Sequence, residues 1–92
     1  MDDRRKMLHF RAWRRGFREI DLILGGFADR HLEVLDEPGL EAFEALLGAN
    51  DLDVYDWITG AALPPAPYDT PTLALIRATR FETSARTDAE TP

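Results

Sequence analysis

Cysteine is absent from this sequence. Disulfides, thiolate nucleophiles and cysteine-ligated metal are therefore excluded. A reducing compartment fits better than a secreted setting, where a domain this small often carries disulfide staples. Serine is almost absent, and Ser84, the single one, stands near the C-terminal end. Only two histidines occur, His9 and His31. Asp29, His31 and Glu33 are spaced by two, which on a helix turns them to different faces, so no metal site is expected. No apolar run approaches the roughly 20 residues that a membrane span requires. Phosphate-cradling glycine motifs are missing as well, because Gly25-Gly26 follows an apolar run and no Lys-Ser/Thr comes after it. Neither strand-like alternation nor an internal repeat is present.

What is there is short and charged. Ninety-two residues allow one domain, which buries only roughly 60–65% of its unfolded surface. A core that small hardly walls off a pocket for a cofactor and a substrate together, so a binding role is expected and an enzymatic one is not. The net charge of −6 conceals an asymmetry. Residues 1–20 hold seven bases against three acids, and residues 21–92 hold four bases against fourteen acids. An acidic body repels phosphates, so nucleic acid is not an expected partner. The basic start either meets an anionic surface on another molecule or faces the chain's own acids. No targeting segment is expected there: the first 15 residues are charged throughout, and Asp2 and Asp3 disfavour a transit peptide.

Five helical segments are legible. The first is expected over Asp3–Arg15, capped by Asp2 or Asp3 and stopped near Gly16. The second, over Phe17–Leu32, carries Ile20, Ile23, Leu24 and Phe27 at helical spacing. Gly25 and Gly26 in its middle imply a kink or a close helix–helix approach. The third, over Glu37–Leu47, has Pro38 in its first turn and an apolar face of Leu40, Phe43, Leu46 and Leu47. The fourth, over Leu52–Thr59, is capped by Asn50 or Asp51 and ended by Gly60. Residues 61–67, rich in proline, read as an extended connector. The fifth is expected over Pro71–Phe81, capped by Thr70, with Leu73 and Ile76 facing inward. Residues 82–92 lack periodicity and read as a disordered tail. The expected fold is all-α: a compact single-domain bundle of about five short helices over residues 1–81.

One segment stands out, Trp13-Arg14-Arg15-Gly16-Phe17-Arg18-Glu19. Glycine at the helix junction lets a partner's backbone come close while Arg15 offers a donor fork and Glu19 an acceptor. The same residues also suit a Schellman-type stop with an internal Arg–Glu pair, and both readings stand. Arg15-Gly16-Phe17-Arg18-Glu19 has the form R-G-x-x-E, follows a basic helix containing His9, and precedes Asp21. Downstream, Leu46-Leu47 with Asp51, Asp53, Tyr55 and Trp57 forms a second pattern. Together these features, over about residues 5–81, resemble the SdhE family (also called YgfY), small assembly factors for the flavoprotein subunit of succinate dehydrogenase and fumarate reductase.

The resemblance implies a five-helix bundle that binds the flavoprotein and promotes covalent attachment of FAD to a histidine of that partner. It implies no cofactor held stably by this chain. The partner-binding residues it implies are Arg15, Gly16 and Glu19, with Arg14, Arg18, His9 and Arg11 as neighbours. Trp57 with Asp51 or Asp53 matches the second pattern, and a core tryptophan beside a helix cap explains those residues equally. A monomer in a bacterial cytoplasm is the accompanying expectation. The rival reading is an antitoxin-like or other regulatory protein-binding module.

Overall fold

In the computed structural model, which describes the backbone of residues 2–90 and the side chains of residues 2–80, four of the five α-helices begin where a short polar side chain takes up an orphaned N–H. Helix α1 (Asp3–Ala12) is capped by Asp2, whose Oδ1 accepts from Arg5 N at 2.8 Å. Helix α3 (Glu37–Leu47) is capped by Asp36, which accepts from Gly39 N at 2.9 Å. Helix α4 (Asp51–Thr59) starts on Asn50, whose Oδ1 accepts from Leu52 N and Asp53 N at 3.0 and 3.1 Å. Helix α5 (Pro71–Glu90) starts on Thr70, whose hydroxyl accepts from Leu73 N at 3.2 Å. Helix α2 (Arg18–His31) has no side-chain cap; Phe17 enters it in extended conformation. A 3-10 turn, Leu32–Val34, continues from α2, and another, Ala66–Tyr68, precedes α5.

The bundle is all-α, and no strand occurs among the described residues. Two boundaries differ by more than one residue from those read in the sequence. Helix α1 ends at Ala12, three residues early, for reasons given below. Helix α5 is longer, because no glycine or proline lies between residues 72 and 91. The expected tail, 82–92, lies outside the residues whose side chains are described. The connector is extended only as far as Pro65; Pro67 then occupies the second 3-10 turn, which its fixed φ suits.

Helix α2 is the spine of the core. Its Ile20, Leu24, Phe27 and Ala28 are fully buried against Leu8 and Ala12 of α1 and Leu73 and Ile76 of α5. Phe27 meets Phe43 of α3 with ring centroids 5.5 Å apart. Trp57 of α4 is buried and stacks on Tyr68 at 4.8 Å, so the tryptophan of the second pattern belongs to the core. Burying each such large apolar side chain is worth about 1.5–3 kcal/mol. That is how five short elements hold one arrangement, and how the α1–α2 junction comes to sit at a fixed corner of the molecule.

Candidate functional site

The junction is built by backbone groups finding partners at a distance. After Ala12, Arg14 N closes a last turn onto Arg11 O at 3.1 Å. Arg15 N instead donates to Asp21 Oδ1 of α2 at 2.6 Å, which draws the chain off the helical path. Gly16 then takes φ +86°, a conformation that L side chains seldom adopt. A Cβ placed on Gly16 would meet no atom within 4 Å. Glycine is therefore required by the turn of the backbone, while the space beside it is open to another molecule.

The internal Arg15–Glu19 pair does not form. Arg15 is largely buried and its Nε donates to Asp51 Oδ1 at 3.0 Å, at the start of α4. Phe17 packs on Tyr55 of α4 with centroids 5.2 Å apart. These two contacts bring the R-G-x-x-E segment and the Asp51–Trp57 pattern into one unit. Asp53 points to solvent. Glu19 and Arg18 are exposed and have no side-chain partner among the described residues. Arg14 lies over the ring of Phe10 at 3.9 Å from its centroid. Both are exposed, and Phe10 with Met7 places large apolar surface beside the cation. Such a cation–π pair holds a guanidinium in place without hiding its donors. Arg11 is half-buried one helical turn before Arg15.

His9 is turned inward. Its Nε2 faces Asp29 Oδ1 of α2, and the same oxygen accepts from Trp13 Nε1 at 3.2 Å. The Trp13 ring lies on Gly25, where a Cβ would come within 2.2 Å of its Cδ2. Gly25 thus seats an aromatic ring from the end of α1, which is not the backbone approach or the kink expected of Gly25-Gly26, and α2 runs through both glycines as one helix. The seating of Trp13 also explains why α1 stops early: the indole is held against α2 as the last helical residue passes. His31, the other histidine, tilts on Phe27 at 5.0 Å, and its Nε2 is buried without a hydrogen-bond partner among the described residues.

The start of α1 is occupied differently. Arg4 bonds Glu37 and Glu44 of α3, whose carboxylates raise its already high pKa. Arg5 donates to the carbonyls of Leu32 and Leu35 at 3.1 and 2.6 Å and pairs with Asp2. The backbone N–H of Arg5, bonded to the Asp2 carboxylate, holds that group below its ordinary pKa. Sequence reasoning named Asp29 only in a rejected metal pattern and Asp2 only as a cap, and assigned neither these nor Glu37 and Glu44 to their partners on α1; only the paired glycines signalled part of this.

Among the described residues no three His, Asp or Glu side chains converge as metal ligands. An apolar groove of about 340 Å³ opens between the first turns of α3 and α5, lined by Leu35, Pro38, Ala42, Pro71 and Leu75, and contains none of the junction residues. Among the described residues the junction presents exposed guanidinium donors, apolar surface and, at Glu19, a carboxylate without a side-chain partner.

Comparison with known proteins bears on what docks. A family model described as "Flavinator of succinate dehydrogenase" matches residues 6–80. Succinate dehydrogenase assembly factor 2, mitochondrial, of Candida glabrata is 39% identical over 59 residues, covering 64% of this chain and 39% of that protein. The protein of the same name from Drosophila grimshawi is 33% identical over 76 residues, covering 80% and 52%. That from Dictyostelium discoideum is 36% identical over 73 residues, covering 79% and 52%. The chain spans about half the length, or less, of these curated relatives. Their names are mitochondrial and lend no support to a bacterial cytoplasm; no helix among the described residues is long and apolar enough to cross a membrane.

Proposed function

This chain belongs to the Sdh5 family of succinate dehydrogenase flavinators, and from that premise we propose that it is an assembly factor that docks on the flavoprotein subunit of succinate dehydrogenase or fumarate reductase and promotes covalent attachment of FAD to a histidine of that subunit. The observation that carries the reading is Glu19, exposed and without a side-chain partner among the described residues, beside an open Gly16 turn inside the segment matched by the family. The flavin itself supplies the chemistry of attachment once the partner's histidine is aligned with its methyl carbon. This chain's share is positional. Arg14 and Arg18 offer donors, Phe10 and Met7 offer apolar contact, and Glu19 offers an acceptor, so the flavoprotein is held in its aligned conformation. No side chain of this molecule is required to attack the flavin, and none is required to hold it.

The molecule is proposed to act as a monomer, without nucleic acid, in a bacterial cytoplasm. Its acidic body supports the absence of nucleic acid, and the lack of cysteine fits a reducing compartment. The test is direct. Apo-flavoprotein is incubated with FAD, with and without this chain, and resolved on a denaturing gel. Flavin fluorescence travelling with the flavoprotein is expected to rise when the chain is present. Equal fluorescence in both lanes would overturn the reading.

A further inference from the structure

His9 and Trp13 stand four residues apart at the end of α1, and Gly25 and Asp29 stand four apart on α2. Residues at that spacing lie one above the other on a helix face, so the two pairs meet as a two-rung ladder. In one rung the Trp13 ring rests on the bare backbone of Gly25, at a distance no side chain there would permit. In the other, a single carboxylate oxygen of Asp29 takes the indole N–H at 3.2 Å and faces His9 Nε2. The next residue along the chain is Arg14, followed by Arg15 and the Gly16 turn. Helix α1 continues no further; beyond it the turn is held by the bond from Arg15 N to Asp21 and by the contacts of Arg15 and Phe17 with α4, while the ladder fixes the end of α1 from which Arg14 departs. The side chains of His9 and Asp29 are 35% and 49% exposed, so neither is there to fill the core.

We propose that Asp29 is a positioning residue for the docking surface: through His9 and Trp13 it holds the end of α1 in one orientation, so that Arg14 and the Gly16 turn meet the flavoprotein already formed. The inference rests on the docking reading above and deepens it. It makes His9 a strut and not a contact. The gain is in preorganisation, since a surface ordered before binding loses less freedom on binding.

The two roles of His9 separate in a double-mutant cycle on the full chain, with affinity for apo-flavoprotein measured by calorimetry and folding checked by melting curves. His9→Ala and Asp29→Ala are each expected to weaken binding about tenfold, and the double variant is expected to bind no more weakly than either single one. His9→Gln, whose amide nitrogen reaches the position of Nε2 and donates to Asp29, is expected to bind within about twofold of the parent. Additive losses, an Asp29→Ala variant that binds like the parent, or a His9→Gln variant as weak as His9→Ala would each overturn the proposal while leaving docking intact. A parent chain that does not bind apo-flavoprotein would overturn both.

Discussion

The two ends of α1 carry the same kind of charge and use it in opposite ways. At the start, Arg4 and Arg5 are spent within the molecule, one on Glu37 and Glu44, the other on the carbonyls of Leu32 and Leu35, at the 3-10 turn after α2, and on Asp2. At the far end and across the turn, Arg14 and Arg18 reach solvent, with the Arg14 side chain steadied by Phe10. A count of bases treats all seven alike. What divides them is which face of the bundle lies opposite: the start of α1 runs beside acidic α3, while its end overhangs the turn into α2. The first two arginines fasten the helix to its own body, and the last ones are left for something else. Arg15 belongs with the fasteners despite its place in the motif, since Asp51 holds it.

The difference is sharpest at Glu19. Glu19→Ala is expected to lower partner flavinylation tenfold or more while shifting Tm by no more than a few degrees, because exposed substitutions usually alter stability by about 0.5 kcal/mol or less. Flavin incorporation and a melting curve on the same sample check this, and a variant that unfolds would place Glu19 among the fasteners. Gly25→Ala acts on the anchoring of the open end. Its methyl group would overlap the Trp13 ring, so a loss of about 1–3 kcal/mol is expected, read by urea unfolding; an unchanged midpoint would deny the close seat.

Gly16 yields a smaller effect with more information. At φ +86° and with open space around it, Gly16→Ala is expected to cost about 1 kcal/mol, and Gly16→Asn less, because asparagine tolerates that conformation. Asparagine adds bulk, so its folded variant is expected to lose more partner affinity than stability; unchanged affinity would argue against a docking partner at this turn. The least effect is expected at the fastened end. Asp2 has a lowered carboxyl pKa when folded, so its contribution to stability is complete above the ordinary value of 3.8. That contribution is lost as pH falls through the lowered one. In Asp2→Asn this part of the acid unfolding curve is expected to flatten, with partner binding at neutral pH unchanged.

Local chemistry was legible in the sequence, and distant pairing was not. The caps Asp2, Asn50 and Thr70 were readable because each acts on N–H groups two or three residues away. The Gly16 turn was readable for the same reason. The end of α1 was misplaced by three residues because Asp21, beyond the turn, takes the N–H of Arg15. The partner of Arg15 was not legible, because Asp51 lies 36 residues along the chain and local sequence offered only Glu19 or an outside acceptor. Trp57 matched a pattern that allowed a site or a core position. Only the stacking on Tyr68, across the proline-rich connector, decides for the core.

The chain has two tryptophans, and they report on different things. Trp57 is buried and stacked on Tyr68, so its emission follows the integrity of the bundle as a whole. Trp13 is half-buried at the seam between α1 and α2, with its N–H on a partly exposed carboxylate, immediately before the docking turn. Its emission is therefore sensitive to whatever covers or loosens that corner. The molecule carries its own pair of optical probes, one for folding and one for encounter, and the two signals are separable in a Trp57→Phe background.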